Sequence, residues 1–139
     1  MSRHTLYAYV DGSDLEAVAP ILEARLEAFV SSRRWLGGKV WVVNQRHALE
    51  TSTQPGDLAD WDLGLNIQLP EPNAEPSGWF GDIEAIAQFL GGLHRELGRD
   101  FVIGINDAQT GITEDLFYVS TTLPNVERLR LILGIGEFR

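Results

Sequence analysis

The sequence predicts an α+β fold in which two helices cover one face of a largely antiparallel sheet. Strand-like segments alternate with stretches whose apolar residues recur every three or four positions, in the order β-α-β-β-α-β-β-α. Glycine- and proline-rich turns separate these segments. With 139 residues, of which 44% are hydrophobic and 22% charged, the chain has the size and composition of a single domain spanning 1–139.

The first half of the chain supplies three predicted strands and one helix. Apolar residues and tyrosines alternate over 5–10, which is typical of a central strand with two apolar faces. An amphipathic helix is predicted over 14–32, and Pro20 is expected either to bend it or to delay the start of its regular part. Strands are predicted over 40–46, which is rich in valine and tryptophan, and over 62–69, where apolar and polar residues alternate strictly.

The second predicted helix covers 82–97 and ends before Gly98. Its interior contains Gly91 and Gly92, each of which costs about 1 kcal/mol relative to alanine in a helix. Two adjacent glycines therefore indicate a close approach to another backbone at this point of the helix.

The last third of the chain is predicted to form a hairpin and a short helix. Strands over 101–106 and 115–120 flank a turn-forming segment, and Asn125 is placed to cap the final helix. Two successive β-α-β halves are typical of a ferredoxin-like sandwich. The additional strand is expected to extend one edge of the sheet through its hairpin.

Charge is the strongest functional signal in the sequence. The chain has 11 basic and 20 acidic residues, a net charge of −9. Thirteen acidic residues lie in two segments that contain no lysine or arginine, between Arg46 and Arg95 and between Arg99 and Arg128. This balance argues against a nucleic-acid partner, which needs a basic surface. It favours a basic protein partner, with solubility as the alternative explanation.

Residues that carry catalysis are not arranged in a recognisable motif. There is no cysteine, and His4, His47 and His94 do not form a local zinc-binding pattern. No glycine-rich phosphate loop or nucleophile elbow is present. The sequence therefore predicts no catalytic residue, no cofactor and no metal.

Five residues are the candidate contacts for a basic partner: Asp60, Trp61, Asp62, Glu114 and Asp115. Trp61 lies between two aspartates, as a binding anchor would, although an aromatic residue at a strand end can instead seal the core. Asp62 is expected on the polar face of its strand. Glu114 and Asp115 point to opposite faces of a regular strand, so at most one of them is expected to face solvent and the partner.

Taken as a whole, the chain resembles bacterial toxin-immunity proteins, which are small, acidic, cytoplasmic α+β proteins without catalytic motifs. The resemblance is one of overall profile, so no residue role is transferred. It implies a non-enzymatic inhibitor that captures a basic toxin encoded nearby. No signal peptide or membrane span is predicted, so a cytoplasmic protein without membrane contact is expected. The alternative is a ferredoxin-like enzyme or small-ligand-binding domain, with a homodimer left open.

Overall fold

The computed structural model of the chain describes residues 4–12, 15–36, 38–46, 61–70, 78–111 and 113–133. Within these residues it is an α+β fold with one five-stranded antiparallel sheet and three helices. The strands are β1 (His4–Val10), β2 (Val40–Arg46), β3 (Trp61–Gln68), β4 (Phe101–Asp107) and β5 (Thr113–Val119). The helices are α1 (Ala19–Ser31), α2 (Phe80–Leu97) and α3 (Val126–Ile132).

The strands lie in the order β2-β3-β1-β4-β5, and every neighbouring pair is antiparallel. The prediction that β1 is a central strand is confirmed, because it pairs with β3 on one side and β4 on the other. The predicted hairpin is confirmed as well: β5 pairs with β4 and extends the sheet at that edge.

The hydrophobic core lies between the helices and one face of the sheet. On β1 this face carries Leu6, Ala8 and Val10, all buried, and neighbouring strands add residues such as Leu65 and Ile103. Burying apolar area on this scale is the main stabilising term of the fold. Within the described residues the helices cover this face, which leaves the opposite face of the sheet for other contacts.

Helix α1 begins later than the sequence predicts. It starts at Ala19 rather than near residue 14, and Pro20 lies in its first turn. A proline is tolerated there because the amide hydrogen that it lacks would have no partner within the helix. Of the two effects expected of Pro20, the structure therefore shows the delayed start of the regular helix rather than a bend within it.

Two other helix ends lie where the sequence predicts them. Gly98 ends α2 in the left-handed conformation, with φ of 67°, which glycine adopts without steric cost. The side chain of Asn125 caps α3 by accepting a hydrogen bond from the backbone N–H of Arg128 at 3.1 Å.

The glycine pair in α2 serves a close approach, as predicted, but only Gly91 does so. A Cβ atom built on Gly91 would lie 2.3 Å from the carbonyl oxygen of Thr122 and 2.7 Å from Cδ of Pro124. A Cβ atom on Gly92 would meet nothing within 4 Å. The segment that leads into α3 therefore packs directly on the backbone of α2.

These adjacent glycines give a matched stability prediction. Gly92→Ala is expected to raise the free energy of unfolding by about 0.5–1 kcal/mol, because alanine favours the helix. Gly91→Ala is expected to lower it by about 1–3 kcal/mol, because the new methyl group collides with the Thr122 carbonyl. Chemical denaturation of the two variants measures both values. Equal effects at the two positions would contradict the packing described here.

Candidate functional site: a cleft on the open face of the sheet

A cleft of about 570 Å³ lies on the face of the sheet that points away from the core. A row of residues paired across all five strands runs along this face, from Trp41 on β2 through Asn66, Tyr7 and Gly104 to Asp115 on β5. Strands lie about 4.8 Å apart, so this row spans about 19 Å. The site is a shallow trough across the sheet.

The lining of the cleft combines aromatic rings with carboxylates. It includes the aromatic residues Tyr7, Tyr9 and Trp41 and the acidic residues Asp11, Asp62 and Asp115. No lysine, arginine or histidine occurs among the lining residues in the described part of the chain. A concave, negatively charged surface with aromatic rings is suited to a cationic group, which the rings and carboxylates both attract.

Tyr7 anchors one half of the cleft. Its hydroxyl donates a hydrogen bond to the carboxylate of Asp115, and its ring stacks on Tyr9 with centroids 5.1 Å apart. The hydroxyl end of Tyr7 lies over Gly104, where a Cβ atom would be only 2.2 Å from the phenol oxygen. Burial raises the pKa of Tyr7, and the hydrogen bond to Asp115 raises it further. Tyr7 is therefore a fixed, neutral part of the floor.

The position of Tyr7 predicts a loss of stability in alkali. The pKa of Tyr7 is higher in the folded chain than in the unfolded chain. The contribution of its protonated hydroxyl to the free energy of unfolding is therefore complete below about pH 10 and declines as the pH rises above that value. Tyr7→Phe is expected to lower the free energy of unfolding by about 1 kcal/mol at neutral pH, through loss of the hydrogen bond to Asp115.

The difference in the free energy of unfolding between the parent chain and Tyr7→Phe should shrink above pH 10, because phenylalanine does not titrate. Urea denaturation of both proteins between pH 8 and pH 11 measures this difference. A difference that stays constant over the whole pH range would contradict a raised pKa of Tyr7 in the folded chain.

Tyr9, Asn66 and Asp62 form the other half of the cleft. Burial raises the pKa of Tyr9, a hydrogen bond from the Asn66 amide opposes this shift, and the charge of Asp62 adds to it. All three side chains line the cleft. The Oδ1 atom of Asn66 is buried and has no hydrogen-bond partner among the described residues.

A β-bulge turns Asp115 toward the cleft. Ile103 on β4 pairs with Phe117, but the next residue, Gly104, pairs with Asp115, so Leu116 is an extra residue in β5. In a regular strand Asp115 and Phe117 would share a face. The bulge instead leaves Phe117 in the core and places Asp115 on the open face.

The expectation that at most one of Glu114 and Asp115 faces solvent assumes a regular strand, and β5 contains a bulge. Both side chains are exposed, and β5 is the edge strand of the described sheet. They do point in different directions: Glu114 pairs with Ile105, and only Asp115 lines the cleft.

The other predicted contacts are placed as follows. Asp62 lies on the polar face of β3, as expected, and lines the cleft. Trp61 is half-buried and packs against the core. Its Nε1 atom donates a hydrogen bond to Oδ1 of Asn44 at 2.8 Å. Trp61 therefore closes the end of the core, and it also lines the cleft. Asp60 lies outside the described residues.

Neither His4 nor His94, the two histidines in the described part of the chain, lines the cleft. Nδ1 of His94, near the end of α2, lies 3.1 Å from the carbonyl oxygen of Arg99 and 3.1 Å from a carboxylate oxygen of Asp100. His4 lies 3.8 Å from Asp107, and His47 is outside the described residues. No three potential metal ligands come together among the residues that the structure describes.

The sequence does not predict the aromatic half of the site. Its patterns place Tyr7 and Tyr9 on the second face of a central strand, and Trp41 contributes only to the strand propensity of 40–46. Their alternation with buried residues does place them on one face, but joining them to Asp62 and Asn66 requires the antiparallel pairing of β1 with β3. That pairing is a long-range property of the fold.

No protein-family model, curated protein or solved structure matches the chain. Within the described ranges, no helix combines the length and the apolar character needed to cross a lipid bilayer.

Proposed function

We propose that this protein is a non-enzymatic binding protein, an immunity-type inhibitor that captures a basic partner protein on the open face of its sheet. One observation carries the proposal: Asp11, Asp62 and Asp115 line one concave surface, with no basic residue among its described lining. Three carboxylates facing one cleft create a negative potential that favours a positively charged partner.

The aromatic residues of the cleft support a binding role. Tyrosine and tryptophan are enriched among the residues that dominate protein–protein affinity, because they offer large rigid surfaces together with a polar group. Here Tyr7 and Tyr9 are stacked on each other and Tyr7 is held by Asp115. Such preorganised rings lose little conformational entropy on binding.

The proposed fold is ferredoxin-like, with one added strand. β1 and β2 run in the same direction with β3 between them, which is a split β-α-β unit, and β4 lies on the far side of β1. In this arrangement the described helices occupy one face of the sheet, and the cleft lies on the other face. β5 widens that face and contributes Asp115.

The proposed partner is the product of an adjacent gene, a basic toxin that this chain would neutralise in the cytoplasm. The overall charge of −9 agrees with such a partner, and long-range attraction would speed their encounter.

A small-ligand-binding domain is the second candidate, and the volume of the cleft favours it. About 570 Å³ lies within the range of small-molecule sites, roughly 300–1,000 Å³. A ferredoxin-like enzyme or a dimer that joins its sheets belongs to the same alternative. An enzyme would place titratable groups against a bound substrate, which is the feature that separates it from an inhibitor.

Complex formation with the adjacent gene product tests the main proposal. We expect a stoichiometric complex in size-exclusion chromatography and loss of the partner's toxicity in cells that produce both proteins. A variant with His4, His47 and His94 all replaced by glutamine should protect as well as the parent. Absence of a complex, or loss of protection by this variant while it remains folded, would contradict a non-enzymatic inhibitor.

A further inference from the structure

We propose that the outer edge of β5 is an interface between two copies of this chain, whose β5 strands pair in antiparallel orientation to form one continuous sheet. The inference goes beyond the proposed function and does not rest on it. It concerns the edge of the sheet, whereas the cleft lies on the open face of the sheet.

β5 is an edge strand with a groove beside it. Among the described residues it pairs with β4 on one side and with no strand on the other. The outer backbone groups of such a strand are a template for a further strand. The groove is lined by β5, by the segment that follows it and by the start of α3. Two of its lining side chains are large, hydrophobic and exposed, Tyr118 at 55% and Leu123 at 88%, and covering them favours association.

Charges of opposite sign lie on the strand and in the groove. Glu114 is exposed in the first half of β5. Arg128 is exposed and lines the groove together with Ser120, which follows the strand. No ion pair joins the Glu114 carboxylate or the Arg128 guanidinium to another described residue, so both can contact a second molecule. Asp115 is given no role in the interface, because it accepts the Tyr7 hydroxyl.

A twofold axis makes this charge pattern self-complementary. In an antiparallel pair of identical strands, the first half of each strand lies beside the second half of the other. Glu114 of each copy then approaches the end of β5 in the other copy, where the groove contains Arg128. Parallel pairing would instead place the two Glu114 side chains next to each other, which is unfavourable. The charges therefore favour a second copy in antiparallel orientation.

The dimer is expected to be weak and reversible. Only residues 117–119 lie beyond the bulge in regular register with β4, so the paired segment is short. Each copy carries a net charge of −9, although salt at about 0.15 M screens repulsion beyond about 8 Å. We expect a dissociation constant of about 10–100 µM. The axis is perpendicular to the sheet, so the helices of both copies lie on one side and both clefts open on the other.

The test is sedimentation velocity of the full chain in about 0.15 M salt, from about 1 µM to about 500 µM, which brackets the expected dissociation constant. We expect a single chain at the lowest concentration and twice its mass at the highest. A chain that stays monomeric throughout would overturn the inference, whether the groove is then covered by another part of the chain or by a different protein.

Exchanging the two charges locates the interface. Glu114→Arg and Arg128→Glu should each weaken the dimer about tenfold, because an attraction becomes a repulsion and the twofold axis repeats it. An equimolar mixture of the two variants should form a heterodimer about as stable as the parent dimer. In that mixture the introduced arginine faces the introduced glutamate, and the other contact keeps its native pair.

Glu27→Arg is the matched control. It makes the same change in net charge as Glu114→Arg at an exposed position of α1, and it should change the dissociation constant less than twofold. Circular dichroism confirms that each variant is folded. A dimer that Glu114→Arg and Arg128→Glu leave unchanged, or a mixture of the two that stays as weak as either alone, would overturn the proposed interface.

Discussion

Asp82→Ala is expected to lower the free energy of unfolding by about 3 kcal/mol, the largest single-residue effect on stability expected here. The Asp82 side chain is fully buried, with 0% exposed. One of its carboxylate oxygens accepts from the Arg33 guanidinium at 3.2 Å, and the other accepts from the Leu36 backbone N–H at 2.8 Å. Alanine leaves both donors without this acceptor in a partly buried place.

The position of Asp82 favours a carboxylate at this buried place. It lies in the first turn of α2, where a negative charge interacts favourably with the helix dipole. Through Arg33 and Leu36 it ties the segment that follows α1 to the start of α2. This carboxylate therefore joins the C-terminal end of α1 to the N-terminal end of α2, in addition to the Arg25–Glu96 ion pair and the stacking of Phe29 on Phe89.

Urea denaturation at neutral pH measures the effect of Asp82→Ala. Glu84→Ala, two residues further along α2 and only partly buried, is the matched control and should change stability by less than about 0.5 kcal/mol. Asp82→Asn should lie between the two, because it keeps an acceptor for Leu36 but loses the charge. Equal stability of the Asp82 and Glu84 variants would show that the buried ion pair does not hold these segments together.

Asp62→Lys is expected to weaken the complex with the basic partner at least tenfold, mainly through slower association. The substitution reverses a charge that lines the cleft, where the partner's own positive charges would approach. Glu27→Lys makes the same change in net charge on α1, away from the cleft. Comparing the two variants separates the effect of position from the effect of total charge.

Surface plasmon resonance of both variants against the adjacent gene product gives the two rate constants. Circular dichroism confirms that each variant keeps its fold. We expect Asp62→Lys to reduce the association rate far more than Glu27→Lys does. Similar reductions would mean that total charge, rather than the cleft, attracts the partner.

The sequence predicted those parts of the fold that depend on local patterns. The alternation over β3 and the apolar spacing of α2 follow directly from burial on one face, and both elements form close to the predicted positions. The start of α1 was misplaced, because helical spacing of apolar residues extends back through a turn in which Val18 still bonds to Leu15. Periodicity does not distinguish such a turn from the helix that it precedes.

The candidate site could be predicted only in part. Asp62 was assigned correctly to the polar face of β3, since that follows from the period of the strand. The position of Asp115 depends on a bulge opposite Gly104, and no residue pattern within β5 reveals an extra residue. The Tyr7–Asp115 hydrogen bond joins residues that are 108 positions apart and requires the complete strand order.

The association rate of the unaltered chain with the adjacent gene product, measured at low and at physiological salt, tests the central claim most directly. Screening shortens the range of electrostatic attraction from about 30 Å at 0.01 M salt to about 8 Å at 0.15 M. If the acidic cleft captures a basic partner, the association rate should fall about tenfold or more over this range, while the dissociation rate changes much less. An association rate that is the same at both salt concentrations, and unaffected by Asp62→Lys, would contradict the account and leave the charge of −9 as a feature of solubility.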